Sequence, residues 1–293
     1  MPRLGYLLGP LLMLRASIRR LLSNSFFVIG FASYVGLVAA CAVGYLIIPK
    51  DLARVGAAPP LLPPQADHFL GTDVLGRDIL ALLVEATLNS SKIGLIAATF
   101  GTIVGTLIGF VSGYYGGLPD NVLRLITDVF LAVPSMLFLI LISALVRVVT
   151  VEMMALLIAI FSWPWPARQV RAQALSLKER EFVYLAWLSG ESKFEIILKE
   201  LMPHMVPWMA ANFVNAYLVA ILTEAGLAIL GLGPQTDITL GILLWWALSH
   251  AAIFRGLWWW WLPPVILLIY SFFTLYLIQI GISEVVNPRS KVI

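Results

Sequence analysis

Six stretches of this chain, roughly residues 26–48, 90–112, 125–146, 151–167, 205–232 and 261–283, are apolar over close to the ~20 residues an α-helix needs to cross a bilayer. In hydrocarbon no water can satisfy a peptide group, and a helix satisfies its own. The runs therefore predict an all-α membrane protein of six transmembrane helices. Composition agrees. Hydrophobic residues make up 60% of the 293 and charged residues 12%, with a mean hydropathy of +0.93. A soluble domain needs about twice that share of charge. The fourth run is the shortest and meets Trp163-Pro164-Trp165-Pro166, where two prolines bend or end the helix.

Lys and Arg favour the cytoplasmic loops of membrane proteins. Arg3, Arg15, Arg19 and Arg20 precede the first run and Arg124 follows the second. Arg168, Arg171, Lys178, Arg180, Lys193 and Lys199 crowd the stretch after the fourth, and Arg289 and Lys291 end the chain. The alternate loops hold Lys50, Arg54, Arg77 and Arg255. Both termini and segment 168–203 are thus expected in the cytoplasm of a multi-pass plasma-membrane protein. Residues 1–25 form a cytoplasmic N-terminal segment, 26–283 the transmembrane domain, and 284–293 a cytoplasmic tail. Loops 49–85 and 233–258 are external, the latter ending against Trp258-Trp259-Trp260-Trp261, a run suited to the membrane interface.

Several functions lack their residues. Cys41 stands alone and His68, His204 and His250 are far apart, so neither a disulfide nor a metal site is expected. A net charge of +3 is too small to argue for nucleic acid. No Gly-x-x-x-x-Gly-Lys-Ser/Thr loop is present to cradle ATP phosphates, and no nucleophile elbow or zinc-protease helix occurs. The chain is read as no enzyme, with no cofactor of its own.

The most informative segment is 168–203. Glu181, Phe182, Leu185, Ala186 and Leu188 predict a helix with one apolar face. Gly190 permits a left-handed turn, and Glu191 to Lys199 predicts a second short helix with Phe194, Ile197 and Leu198 together. Pro203 marks entry to the next span. Such a helix–Gly–helix hairpin is a knob that a partner can grip, or an amphipathic hairpin lying on headgroups.

Other motifs have physical readings of their own. Glycines in Gly71-Thr-Asp-Val-Leu-Gly-Arg-Asp78 allow tight turns, and Asp73, Arg77 and Asp78 can pair to pin the external loop. Gly113-Tyr-Tyr-Gly-Gly117 reads as a cytoplasmic turn. Gly94, Gly101, Gly105 and Gly109 recur near helical spacing and predict close helix packing. Polar groups inside the spans are costly and face protein or water. Glu224, Asn212, Asn215, Asn89 and Asp128 are therefore candidates for a translocation pathway, with interhelical hydrogen bonding as the competing role.

Segment 168–203 resembles the cytoplasmic "EAA" loop of binding-protein-dependent ABC importer permeases. Ala186, Gly190 and Pro203 match that pattern, while Tyr184, Leu185, Glu200 and Met202 depart from it. Ser162-Trp163-Pro164, Leu175 to Glu181, His68 to Asp78, Glu224-Ala225, Leu230 to Gly233 and Asn287-Pro-Arg289 are similar to C-type subunits of dipeptide/oligopeptide permeases. The resemblance implies the type I importer permease fold and half of a pathway for oligopeptides or oligosaccharides. It implies as partners a second permease subunit, an external binding protein, and two ATPase subunits that hold ATP and Mg. Coupling to those ATPases falls to Glu181, Tyr184, Ala186, Gly190 and Glu191, and contact with the binding protein to the region of Asp73, Arg77 and Asp78. The alternative is an ATP-independent secondary transporter or channel, against which no inverted repeat with paired broken helices is evident.

Overall fold

A computed structural model describes residues 18–146 and 148–286. Arg3, Arg15, Arg147, the Asn287-Pro-Arg289 motif and Lys291 lie outside the described residues. Among those described the fold is helical, with no strand beyond two isolated bridges in the 65–78 loop.

The organising element is α2, Ile79–Phe110 (α1 is Ser25–Ile47). At 1.5 Å per residue its 32 residues run about 48 Å, so its two ends lie on opposite sides of the bundle. It begins well before the expected residue 90. Asp78 caps it by accepting a hydrogen bond from the Ala81 N–H at 2.9 Å, and Ile79, Leu82, Leu83 and Ala86 are buried in an apolar cluster at that end. A five-residue π-helical turn, Val111–Tyr115, closes its other end, followed by Gly116 and Gly117 with φ of +65° and +60°.

The small-residue stripe on α2 does what its spacing predicts. A Cβ added at Gly101 would lie 2.6 Å from Ser162, one at Gly105 2.6 Å from the Trp163 carbonyl, and one at Gly109 2.7 Å from the Ala167 carbonyl. Gly94 faces Tyr217 and Ile221 instead. Lipid offers no hydrophobic drive for helices to associate, so backbone contact through glycine supplies the dispersion attraction.

The third apolar run is not one straight helix. It forms α3 (Gly117–Ala132) and α4 (Ser135–Leu145), bent by 75° at Val133-Pro134. Proline has no N–H to continue the ladder and forces its predecessor out of the helical region, and Val133 sits at φ −85°, ψ 127°. The fourth run behaves differently. Between α5 (Val151–Ser162) and α6 (Pro164–Leu177), Trp163 stays helical at φ −79°, ψ −27°. Pro164 then occupies the first position of α6, where no N–H is needed.

After α6 come α7 (Glu181–Leu188), the single turn α8 (Lys193–Ile196) with its π-helical continuation Ile197–Leu201, and α9 (Met202–Ile229). Residues 233–258, expected as a loop, contain a ten-residue helix, α10 (Leu240–Ser249). It is apolar but too short to cross a membrane, and Leu240, Leu243 and Ala247 pack on the start of α2 and on Trp260. The tryptophan run opens the last helix, α11 (Trp258–Val286), rather than ending a loop. α11 lies along α1: a Cβ at Gly30 would lie 2.7 Å from the Thr274 carbonyl, and the Asn24 amide donates to Glu284 at 2.7 Å. Among the described residues four helices are long and apolar enough to cross a membrane, and the bent α3–α4 pair makes a fifth candidate. A core of Ile93, Ala97, Leu139, Met154, Ile158 and Leu227 joins α2, α4, α5 and α9.

Candidate functional site

The hairpin end of the bundle is built by local rules. α7 stops because Gly190 adopts φ +84°, a region open to glycine. The Gly190 N–H then reaches the Trp187 carbonyl at 3.0 Å and the Glu191 N–H the Ala186 carbonyl at 3.2 Å, the paired bonds of a Schellman stop. A capping box starts α8: Ser192 Oγ accepts from the Glu195 N–H at 3.3 Å, and the Glu195 carboxylate accepts from the Ser192 N–H at 3.0 Å.

The apolar face of α7 differs from expectation. Val183 and Ala186 are buried with Ile196, Ile197 and Leu201, against Phe110 of α2 and Val170 and Ala174 of α6. Phe182 stacks on His204 at 4.7 Å. Leu185 and Leu188, expected on the buried side, are 62% and 60% exposed, beside Tyr184 and Trp187 at 60% and 59%. The pattern misled because α7 has apolar residues around most of its circumference, and only packing selects the inner face. In α8 and its π-helical continuation, likewise, Ile197 is buried while Phe194 and Leu198 are exposed. Of the coupling candidates, Glu181, Tyr184 and Gly190 are exposed, Glu191 is half-buried and Ala186 is buried beneath them. The hairpin is thus fixed to α2 and α6 on one side and presents large apolar side chains on the other.

The pathway candidates separate into three places. Asn212 and Asn215 of α9 line a cavity of about 230 Å³ with Ser135, Phe161, Ser162 and Trp165. Ser135 and Phe161 are wall residues that no motif distinguishes, whereas Ser162 and Trp165 lie in the Ser162-Trp163-Pro164 and Trp163-Pro164-Trp165-Pro166 stretches. Glu224 is fully buried and does not line this cavity. Its carboxylate accepts from Thr239 at 2.5 Å and from Ser90 at 3.1 Å, while Ser90 and Thr239 accept from the Leu240 and Ile242 N–H groups that open α10. Asn89 donates to the Ile238 carbonyl at 2.8 Å, so both fasten α10 to α2 and α9. Both side chains thus make interhelical hydrogen bonds, and a buried carboxylate is tolerable only when its lone pairs are occupied. Asp128, on α3, lies nearer the hairpin end and pairs with Arg168 at 2.7 Å.

The opposite end is organised by Asp73, Arg77 and Asp78, all less than a tenth exposed. Asp73 accepts from Arg77 Nε at 2.7 Å and from the Leu75 and Arg77 N–H groups, each at 2.9 Å. Asp78 meets His68 Nδ1 at 2.8 Å while capping α2, and the Arg77 guanidinium lies 5.3 Å from the Trp246 ring centre. These groups pin the 59–78 loop, and their burial leaves direct contact with any external protein to the loop they hold in shape.

Residues 105–292 match the family described as binding-protein-dependent transport system inner membrane component. The chain is 31% identical over 229 residues to the oligopeptide transport system permease protein OppC of Mycobacterium tuberculosis strain H37Rv, covering 78% of this chain and 79% of that one. It is 29% identical over 251 residues to the dipeptide transport system permease protein DppC of Bacillus subtilis strain 168, covering 82% and 78%. In fold it is similar to a chain of the MetNI methionine ABC transporter in inward-facing conformations, with a TM-score of 0.55 and 17% identity, over 72% of this chain and 97% of that one.

Proposed function

We propose a function from one premise: the chain belongs to the family of binding-protein-dependent transport system inner membrane components. It is a multi-pass permease subunit of an ABC importer in the inner membrane, and its cargo is peptides. The names of its relatives support peptides over the oligosaccharides that the resemblance also allows. It pairs with a second permease subunit to enclose the pathway, receives cargo from an external binding protein, and takes force from two ATPase subunits that hold ATP and Mg. Six spans, with α3–α4 as the third and α5–α6 as the fourth, and cytoplasmic termini fit this reading and the Lys and Arg distribution.

The observation that carries it is the hairpin. Four large apolar side chains, Tyr184, Leu185, Trp187 and Leu188, stand about 60% exposed on a short helix whose other face is buried against α2 and α6. Exposed apolar patches of that kind mark protein contacts. A partner seated there pushes on a unit continuous with two long helices, and α6 carries Trp165 and Pro166 into the wall of the Asn212–Asn215 cavity. ATP binding closes the ATPase pair, moves the two hairpins together and shifts the helices towards an outward-open state. ATP acts because it binds one of the two states better, at a site remote from the cargo.

The test is transport into proteoliposomes. The complete importer should accumulate a labelled oligopeptide only with ATP, the binding protein and both ATPase subunits present. Equal uptake by the two permease subunits alone would overturn the reading in favour of a secondary transporter or channel, and uptake of oligosaccharide in place of peptide would overturn the cargo.

A further inference from the structure

Between the hairpin end of α2 and helices α3 and α6 lies a second cavity, of about 440 Å³, whose walls include Arg124, Arg168 and Arg171. It adjoins the neutral cavity along α6: Trp165 faces the first and Arg168, one helical turn on, faces the second. The first is lined by amides, hydroxyls and apolar groups, whereas the second is lined by three guanidinium groups together with the Asp128 carboxylate and the Ser112 and Thr127 hydroxyls.

The arginines are unequally engaged. Arg171 is held by Asp120 through two hydrogen bonds, Nε at 2.6 Å and Nη2 at 2.7 Å, and Ser112 also donates to Asp120. Arg168 gives one, from Nη2 to Asp128 at 2.7 Å. Arg124, more than half exposed, makes a looser ion pair with the same Asp128, its Nε at 3.6 Å from the carboxylate. Three cations thus share two carboxylates, which leaves one net positive charge, and the Nη groups of Arg124 keep donors that Asp128 does not take. Such a guanidinium fork matches an oxyanion with two oxygens.

We infer that this cavity is an oxyanion site in which Arg124, assisted by Arg168, takes up a carboxylate of the cargo as it passes from the Asn212–Asn215 cavity towards the hairpin side. The inference rests on the proposed importer function. A cargo peptide brings such a carboxylate at its C-terminus. The phosphate of an anionic inner-leaflet lipid, with no headgroup cation to neutralise it, offers the same chemistry, and transport can tell the two sources apart.

The experiment uses the complete importer in proteoliposomes, comparing Arg124→Gln with the unaltered chain. The two cargoes are one peptide with a free C-terminus and the same peptide with an amidated C-terminus. The vesicles are wholly phosphatidylcholine or one-quarter phosphatidylglycerol. Because the binding protein is the same throughout, its own preference cancels in the ratio of variant to unaltered rates. Loss of one charge-assisted contact predicts about a tenfold fall for the free-carboxylate peptide in either vesicle, and little change for the amide. A fall confined to phosphatidylglycerol vesicles and equal for both cargoes keeps the oxyanion site but assigns it to lipid. Equal losses in every condition, or no loss, overturn the inference. Arg124→Lys separates charge from fork geometry: it should recover only part of the free-carboxylate rate, and full recovery would overturn bidentate recognition. If the unaltered importer moves neither peptide, the importer reading has failed rather than this site.

Discussion

The two ends of the bundle solve opposite problems. At the loop end Asp73, Arg77, Asp78 and Glu224 turn inward and find partners within the chain. At the hairpin end the helix α7 keeps Tyr184, Leu185, Trp187 and Leu188 outside. A buried ionisable group is stable only when a counter-charge or hydrogen bonds satisfy it, and here Asp73, Arg77 and Asp78 pair while Glu224 takes two hydroxyls. An exposed apolar face gains free energy by being covered, and in the proposed reading another protein covers the one at the hairpin end. Stability and function therefore respond differently at the two ends.

The largest effect is expected at the loop end. Asp73→Ala leaves the Arg77 guanidinium buried without its carboxylate, at a cost of about 3–5 kcal/mol. Thermal unfolding of the detergent-solubilised subunit checks it, and a loss below about 1 kcal/mol would erase the contrast between the ends. Midway along α2, Gly105→Val forces side-chain atoms against the Trp163 carbonyl and Pro166, so about 1–3 kcal/mol is expected in the same assay. At the hairpin, Gly190→Val meets no neighbour within 4 Å and suffers from the positive φ alone, about 1–2 kcal/mol. It should insert normally yet lose cargo-stimulated ATP hydrolysis, and hydrolysis at the normal rate would remove the hairpin from the coupling path. Trp187→Ala should change the subunit's own stability by less than about 0.5 kcal/mol. Co-purification of the ATPase subunits should nevertheless fall sharply. Unchanged recovery would mean that the exposed face serves something else.

The glycine register and the proline positions show how far the sequence can be read. Gly101, Gly105 and Gly109 recur every four residues, and that spacing alone places them on one face of a helix in close contact with a neighbour. Pro134 and Pro164 look alike in the chain, yet one bends its span by 75° and the other opens a helix directly after a residue that stays helical. The difference lies in whether the preceding residue can remain helical, which its packing decides. Likewise α10 was hidden in a stretch expected as a loop. Ten apolar residues are too few to signal a span, and only their burial on α2 and Trp260 gives them a place.

What the amino-acid order determined by itself was the solvent: apolar runs of membrane length, sparse charge, and an alternating bias of Lys and Arg. Those properties are summed along the chain and need no neighbours. Which face of α7 is buried, which polar groups line a cavity and which fasten helices together were decided only by tertiary structure. Glu224 and Asn215 are both polar residues on one helix, nine positions apart. One is enclosed by Ser90 and Thr239 and the other opens on a cavity, because different helices pack at their two heights.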